Sequence, residues 1–452
     1  MGKPVSFPVR FSDLINYFAS DLYVPEIHLI VHFEDRVDVQ RLQKALRLLL
    51  DADPVLGCRF VEHWRKAFWV RIPEHELNSA EILTQSSASP LEEEKSVQGF
   101  YEKVIDGSVG PQIKALLISR QDADCLILKV NHVTCDAGGF KEVLYSLSSI
   151  YTDLGRDPNY RPEIRNGSRS LAQVYKKFSL IKRLYILWRG FVEFHRAGMP
   201  AKSQQYLSGE DKSAPLCFKF NHYSTEHTEQ LIEYARTHNC TLNDLFVTAV
   251  FRAVAKQSDW IANKAKAMRI NGTVDLRRYL PEGQADALCM LSGVYSVIIK
   301  EYADDTFEET LHKVKEQIDE QKAHYLGLGI MLTIYLILLP YPFLMKKKFI
   351  KKQWQNNLSS NKVPPAMSNV GSIDHQKVAF GKLSVKNIHM TVPACCPPSF
   401  SCGLSGYSGT LTLSSGFYPS AIPVRQMEHF FSLIDKELPI IDHEKRRRIS
   451  NT

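Results

Sequence analysis

The sequence predicts an α+β protein of two lobes, each a mixed β-sheet with packed helices. Three observations predict it. Strand–helix–strand units occur in both halves of the chain. Between them, residues 155–215 are rich in Pro, Gly, Ser and basic residues, the composition of a connection. The chain has 452 residues, enough for two domain-sized cores or one large two-lobed unit. The parts so defined are a first lobe over 1–160, a basic connecting segment over 161–215 and a second lobe over 216–452.

The elements follow from the spacing of apolar residues. "IHLIVHF" (27–33) alternates as a strand does. "VDVQRLQKALRLLLDADP" then places Val39, Leu42, Leu46, Leu49 and Leu50 at helical spacing and stops near Asp53-Pro54. "KAFWVRI" is strand-like. "PQIKALLISRQDADCLILKVNHVTCDAGGF" holds two apolar runs joined by a polar turn, a hairpin signal whose second run ends on Asn131-His132. After Gly139, "FKEVLYSLSSIYTDL" is amphipathic with helical period. In the second half, "CFKFNHYS" reads as a strand. "STEHTEQLIEYARTHN" reads as a helix capped by Ser224 or Thr225, and "TLNDLFVTAVFRAVAKQ" as a buried helix. "AMRINGTVDLRRYLP" runs from strand into loop. "FGKLSVKNIHMTV", "SFSCGLSGYSGTLTLSSGF" and the closing helix "VRQMEHFFSLIDKEL" complete a mixed sheet with helices.

Composition narrows the function classes. The formal charge of +7 is modest and uneven. It thickens over 161–202 (Arg161 to Lys202), over 346–352 and over 445–448. Such blocks are ordinarily solvated faces; an anionic partner for them is membrane phosphate rather than nucleic acid, since no nucleic-acid motif accompanies them. The nine cysteines are scattered with no CxxC pair, and adjacent Cys395 and Cys396 have the wrong spacing to share one metal. The fifteen histidines show no HExxH spacing, and neither a P-loop nor a GxGxxG after a strand is present, so no metal and no nucleotide cofactor is expected. The start lacks the apolar core of a signal peptide, and together with the cysteine usage this predicts a cytoplasmic protein with free thiols. Gly2 with Ser6 fits the loose N-myristoylation pattern.

"NHVTCDAGGF" (131–140) concentrates the chemistry. A histidine ending a strand, with an aspartate four residues on in a tight turn, leaves the imidazole free to face a cleft. The aspartate is then available to pair with a distant arginine and lock the loop. Gly138 and Gly139 permit the turn. Imidazole is the natural base for a hydroxyl or amine near neutral pH, although on spacing alone a lone His at a strand end is more often scaffold than catalyst.

This stretch resembles the HHxxxDG motif of the condensation-domain and CoA-dependent acyltransferase superfamily. The likeness extends to "TLNDLFVTAVFRAVA" (241–255), to "NGTVDLRRYLP" (271–281), similar to the family's VDLR-type segment, and to "MSNVGSID" (367–374), similar to its SNxG segment. The resemblance implies two chloramphenicol-acetyltransferase-like lobes with the active site in a tunnel between them. By the same resemblance His132 is the second motif histidine, the general base. Asp136 is the structural aspartate, paired with Arg277 or, failing that, Arg278, and Gly138 shapes the turn. Asn131 stands where the family usually has its first histidine, and Ala137 where glycine follows the aspartate. These departures leave room for a repurposed site. Ser368, Asn369 or a hydroxyl of "SGYSG" would bind substrate and stabilise an oxyanion. The implied reaction moves an acyl group from acyl-CoA or an acyl-carrier protein to an alcohol or amine, with no bound cofactor. Any carrier protein acts in trans on a monomer. The alternatives are amide-forming condensation between carrier-bound substrates and a non-catalytic, membrane-associated scaffold.

"YLGLGIMLTIYLILLPYPFLM" (325–345) is uncharged over about the length of a bilayer span, with "KKKFIKK" behind it. Pro340 and Pro342 shorten any clean helix, and a crossing here would cut the second lobe in two. The expectation is a segment buried in the fold or dipping into a membrane surface. "LIKRLYILWRGFVEFHRAG" (180–198) suits an interfacial helix as well as a connecting one, which would make the enzyme peripheral on the inner face of the membrane.

Overall fold

In a computed structural model, residues 5–20, 22–86, 90–120, 123–198, 211–257, 267–300, 304–359, 363–397 and 399–439 are described. Gly2, Lys202 and the basic run at 445–448 lie outside them.

A five-stranded sheet forms the first lobe. Its strands run in the order Val385–Met390, Glu26–Phe33, Asp124–Asn131, Ile113–Ser119 and Leu83–Ser86, antiparallel but for the last pair. A small sheet of Ser6–Pro8, Ala67–Arg71 and Cys58–Glu62 stands beside it. One face of the large sheet presents Ile27, Leu29, Val31 and Phe33. These pack with Leu42, Leu46 and Leu49 of helix Val39–Ala52 and with Val143, Leu144 and Leu147 of helix Ala137–Arg156 into one buried cluster. The period-2 and period-3.6 stripes seen in the sequence thus meet in this core. Asp38 caps the first of these helices, its carboxylate accepting from the Arg41 amide at 3.0 Å.

The second lobe is a six-stranded mixed sheet in the order Ser292–Lys300, Ala267–Asp275, Ala366–Ile373, Ser401–Tyr407, Thr410–Phe417 and Cys217–Tyr223. Helices Leu242–Gln257, Phe307–Ala323 and Val424–Glu437 pack on it around a core centred on Phe246, Val250, Phe430 and Phe431.

Residues 216–452 do not all stay with this second sheet. Val385–Met390 crosses over and pairs antiparallel with Glu26–Phe33, so the first lobe's sheet is completed by a strand from beyond its sequence boundary. The connecting segment is also more than a linker. It contains helix Leu180–Gly198, which packs along helix Leu328–Leu338, because Gly190 and Gly329 let the two backbones approach closely. The apolar stretch at 325–345 breaks at the prolines into Leu328–Leu338 and the start of helix Phe343–Ser359. Among the described residues no helix is long and apolar enough to cross a membrane. The lysine run 346–348 therefore continues a helix and does not flank a span.

Candidate active site

The central strand Asp124–Asn131 delivers His132 to the face where the lobes meet. Two contacts fix its backbone and a third holds one of them in place. The His132 amide donates to the Pro25 carbonyl at 2.8 Å, the Asn16 side-chain amide donates to the His132 carbonyl at 3.0 Å, and Tyr23 donates its hydroxyl to Asn16 Oδ1 at 2.7 Å. In the ring, Nδ1 lies 2.8 Å from the Cys135 carbonyl oxygen. A carbonyl only accepts, so Nδ1 carries the proton and Nε2 keeps its lone pair. Burial lowers the imidazole pKa below the ordinary 6.5, with the Cys135 carbonyl and the Asp136 charge opposing. The ring is therefore neutral at neutral pH, in the tautomer that accepts a proton at Nε2.

Asp136 does not touch that ring through any hydrogen bond. It caps helix Ala137–Arg156 by accepting from the Gly139 amide at 2.8 Å, and it also accepts from the Leu291 amide at 2.8 Å and from Arg277 Nη1 at 2.9 Å. Arg277 completes its fork on Asp275 (3.0 Å) and the Cys289 carbonyl (3.0 Å). Burial pushes the Asp136 carboxyl up, but the Arg277 charge and the two amides outweigh it and hold the group below the usual carboxylate range. Arg278 lies elsewhere, over the ring of Tyr279. Gly138 sits where a Cβ would come within 2.6 Å of both Arg277 Nη1 and Asp275 Oδ2, so the pair needs glycine there. Asn131 is scaffold. Its amide donates to Gln112 at 2.9 Å and its carbonyl accepts from the Val133 amide at 3.0 Å, which pins the turn but leaves the side chain off the cavity wall.

A cavity of about 250 Å³ opens beside His132, walled by both lobes. Asn16, Tyr23, Ile27 and His132 line it from one side; Thr273, Met290, Met331, Ser368 and Asn369 line it from the other. Ser368 shares a hydrogen bond of 2.6 Å with Thr273. Asn369 turns its side-chain carbonyl onto the Gly371 amide at 2.9 Å, at a bulge in the strand where Gly371 takes φ +75°. The "SGYSG" hydroxyls are not on this wall. Ser405 accepts from the Met390 amide, and Tyr407 belongs to the first lobe's core.

Sequence reasoning missed Asn16, Tyr23, Thr273 and Arg169. Arg169 was visible only as one charge in a basic block. In the fold it is buried, pairs with buried Asp13 at 3.1 Å and donates to the Thr134 carbonyl at 3.2 Å, so the connecting segment braces the motif turn.

Residues 20–334 match the condensation-domain family model. In fold the chain is similar to TRI3 trichothecene 15-O-acetyltransferase from Fusarium sporotrichioides, with 12% identity, a TM-score of 0.73, and coverage of 97% of this chain and 96% of that one. It is also similar to the first condensation domain of the calcium-dependent antibiotic synthetase (13%, TM-score 0.70, 96% and 95% covered). A third similar structure is polyketide synthase associated protein 5 from Mycobacterium tuberculosis (16%, TM-score 0.62, 94% and 96% covered). At these identities the likeness is one of fold. No curated protein sequence matches the chain significantly.

Proposed function

The chain belongs to the condensation-domain family, and on that premise we propose that it is an acyltransferase, moving an acyl group from a thioester to a hydroxyl or amine with His132 as general base. The observation that carries this reading is the Cys135 carbonyl on His132 Nδ1, which leaves Nε2 basic beside a cavity walled by both lobes. The acceptor hydroxyl or amine gives its proton to Nε2 as its oxygen or nitrogen bonds to the thioester carbonyl carbon. The tetrahedral oxyanion collapses, the C–S bond breaks, and the leaving thiolate takes the proton back from the imidazolium. A hydroxyl of the Ser368–Thr273 pair supplies a donor to the oxyanion. Asp136 and Arg277 hold the turn and are positioning residues. Ile15, Val274, Met290, Val294 and Met331 on the cavity wall suit an apolar substrate portion.

The donor is acyl-CoA or an acyl-carrier protein acting in trans. Amide-forming condensation on carrier-bound substrates is the second reading, favoured by the family match itself, and it would use the same base and cavity. The deciding experiment offers short to long acyl-CoAs with mixed alcohols and amines and follows free CoA for wild type and His132→Ala. Turnover lost in a folded mutant supports the proposal, and turnover that survives refutes His132 as the base. Turnover only with carrier-bound thioesters selects the second reading. Silence with both donors leaves the non-catalytic scaffold.

A further inference from the structure

Helix Leu180–Gly198 is amphipathic the wrong way round for a helix in water. The side packed on the protein holds Ile186, Arg189 and Gly190, all buried. Arg189 pairs with Glu320, and a Cβ on Gly190 would lie 2.1 Å from the Gly329 carbonyl oxygen. The opposite side carries Leu180, Ile181, Leu184, Trp188 and Phe191, exposed by 70, 80, 59, 58 and 48%. The neighbouring helix Leu328–Leu338 and the turn after it expose Leu336, Leu339 and Tyr341, and the next helix exposes Leu344, Met345 and Phe349. In the chain, Lys176 and Lys177 precede the first of these helices and Lys182 lies in its first turn, and Lys346, Lys348 and Lys352 lie on the last. Among the described residues none of these six is held in an ion pair.

An apolar surface of this kind has a partner, and its chemistry selects one. Aromatic side chains with a polar edge, such as Trp188 and Tyr341, settle where hydrocarbon meets headgroups. Lysines let their stems follow the apolar layer while the ammonium reaches phosphate. Protein–protein interfaces, by contrast, are depleted in lysine. We propose that this face docks on an anionic phospholipid bilayer, with helix Leu180–Gly198 lying in the interfacial plane.

Helix Leu328–Leu338 also sends Met331 into the wall of the His132 cavity. Docking therefore sets that cavity beside the lipid phase, and the substrate class is a lipophilic acceptor or acyl donor drawn from the bilayer. That last step rests on the acyl-transfer reading; the docking itself does not.

The test is co-sedimentation of the full chain with vesicles of phosphatidylcholine, with and without phosphatidylserine. Wild type sediments with the anionic vesicles and releases as salt is raised. The double variant Ile181→Glu/Leu184→Glu binds about tenfold more weakly or not at all, as does Lys346→Ala/Lys348→Ala/Lys352→Ala, with circular dichroism unchanged in both. Wild type remaining in the supernatant overturns the proposal, as do two variants that sediment like wild type. A wild-type dimer in solution that Ile181→Glu/Leu184→Glu converts to monomer also overturns it, and assigns the face to a second copy of this chain. Vesicle binding is read without turnover, so its failure leaves acyl transfer standing, and a failure of turnover leaves the docking standing.

Discussion

The turn at 132–139 and the outer side of helix Leu180–Gly198 both reverse the ordinary arrangement of charge toward water and hydrocarbon toward the core. They do so with opposite consequences. In the turn the reversal is resolved inside the chain. Asp136 is buried, yet two backbone amides and one guanidinium answer its carboxylate, and Arg277 is answered in turn by Asp275 and Cys289. On the helix, Ile181, Leu184 and Trp188 stay 80, 59 and 58% exposed against the described residues. A buried charge without partners would cost several kcal/mol, so the fold had to supply them. An exposed apolar side chain costs the folded chain little, because it is as wet in the unfolded state. Partners for the first region are therefore found within the molecule, and the docking proposed above would bring those of the second from outside it.

The sharpest way to break this contrast is to orphan the buried carboxylate. Arg277→Ala leaves Asp136 charged and unpaired, and urea unfolding should show a loss of about 3–5 kcal/mol, with any activity falling as well. Retained stability would mean that the two amides alone suffice. Next comes His132→Ala, which removes the proposed base and, of the turn's contacts, one hydrogen bond to the Cys135 carbonyl. Turnover should drop roughly 10²–10⁴-fold while the melting temperature stays near that of wild type. A melting temperature that falls with it would make His132 part of the scaffold.

Two effects of pH sharpen the comparison further. Since burial keeps the His132 pKa below 6.5, the acid limb of kcat/KM should fall at a pH lower than an ordinary histidine would give. A limb at or above 6.5 would point to a different base. Stability should respond through another pair. His32 and His389 stack 5.5 Å apart where the strand Val385–Met390 joins the first sheet. Burial and neighbouring positive charge lower them to about 4 and about 3. Both are neutral in either state above 6.5 and contribute nothing there. Below 6.5 the unfolded chain takes protons that the folded one refuses, so stability declines as pH falls from 6.5 toward 4. His389→Gln should flatten that decline, as thermal melts across the range would show. The smallest effect belongs to the helix. Trp188→Ser should change unfolding free energy by no more than about 0.5 kcal/mol; a larger loss would show that the face is packed against something in the chain after all.

Much of this was legible beforehand, and for definite reasons. The alternation of "IHLIVHF" and the 3.6-residue stripe of Val39–Ala52 are local, and local patterns survive folding. The Asp136–Arg277 pair was legible only through family resemblance, since nothing in spacing links residues 141 positions apart. The helix Pro90–Glu102 shows no apolar stripe in a charged opening turn. Arg169 is one cation among many until its burial against Asp13 is seen. The Ser368–Thr273 contact joins two strands that are neighbours in the sheet but far apart in the chain. Strand adjacency, unlike strand existence, is not written in a period of two.

The crossover of Val385–Met390 has a consequence for how the molecule comes into being. Glu26–Phe33 is made long before Val385–Met390, so one of its two edges has no partner until residue 390 has left the ribosome. Throughout synthesis an apolar strand presents a row of free amides and carbonyls, the template on which chains mispair. The first lobe cannot finish before the second is nearly complete. A truncation anywhere before Met390 would release an open-edged sheet in place of a smaller working domain.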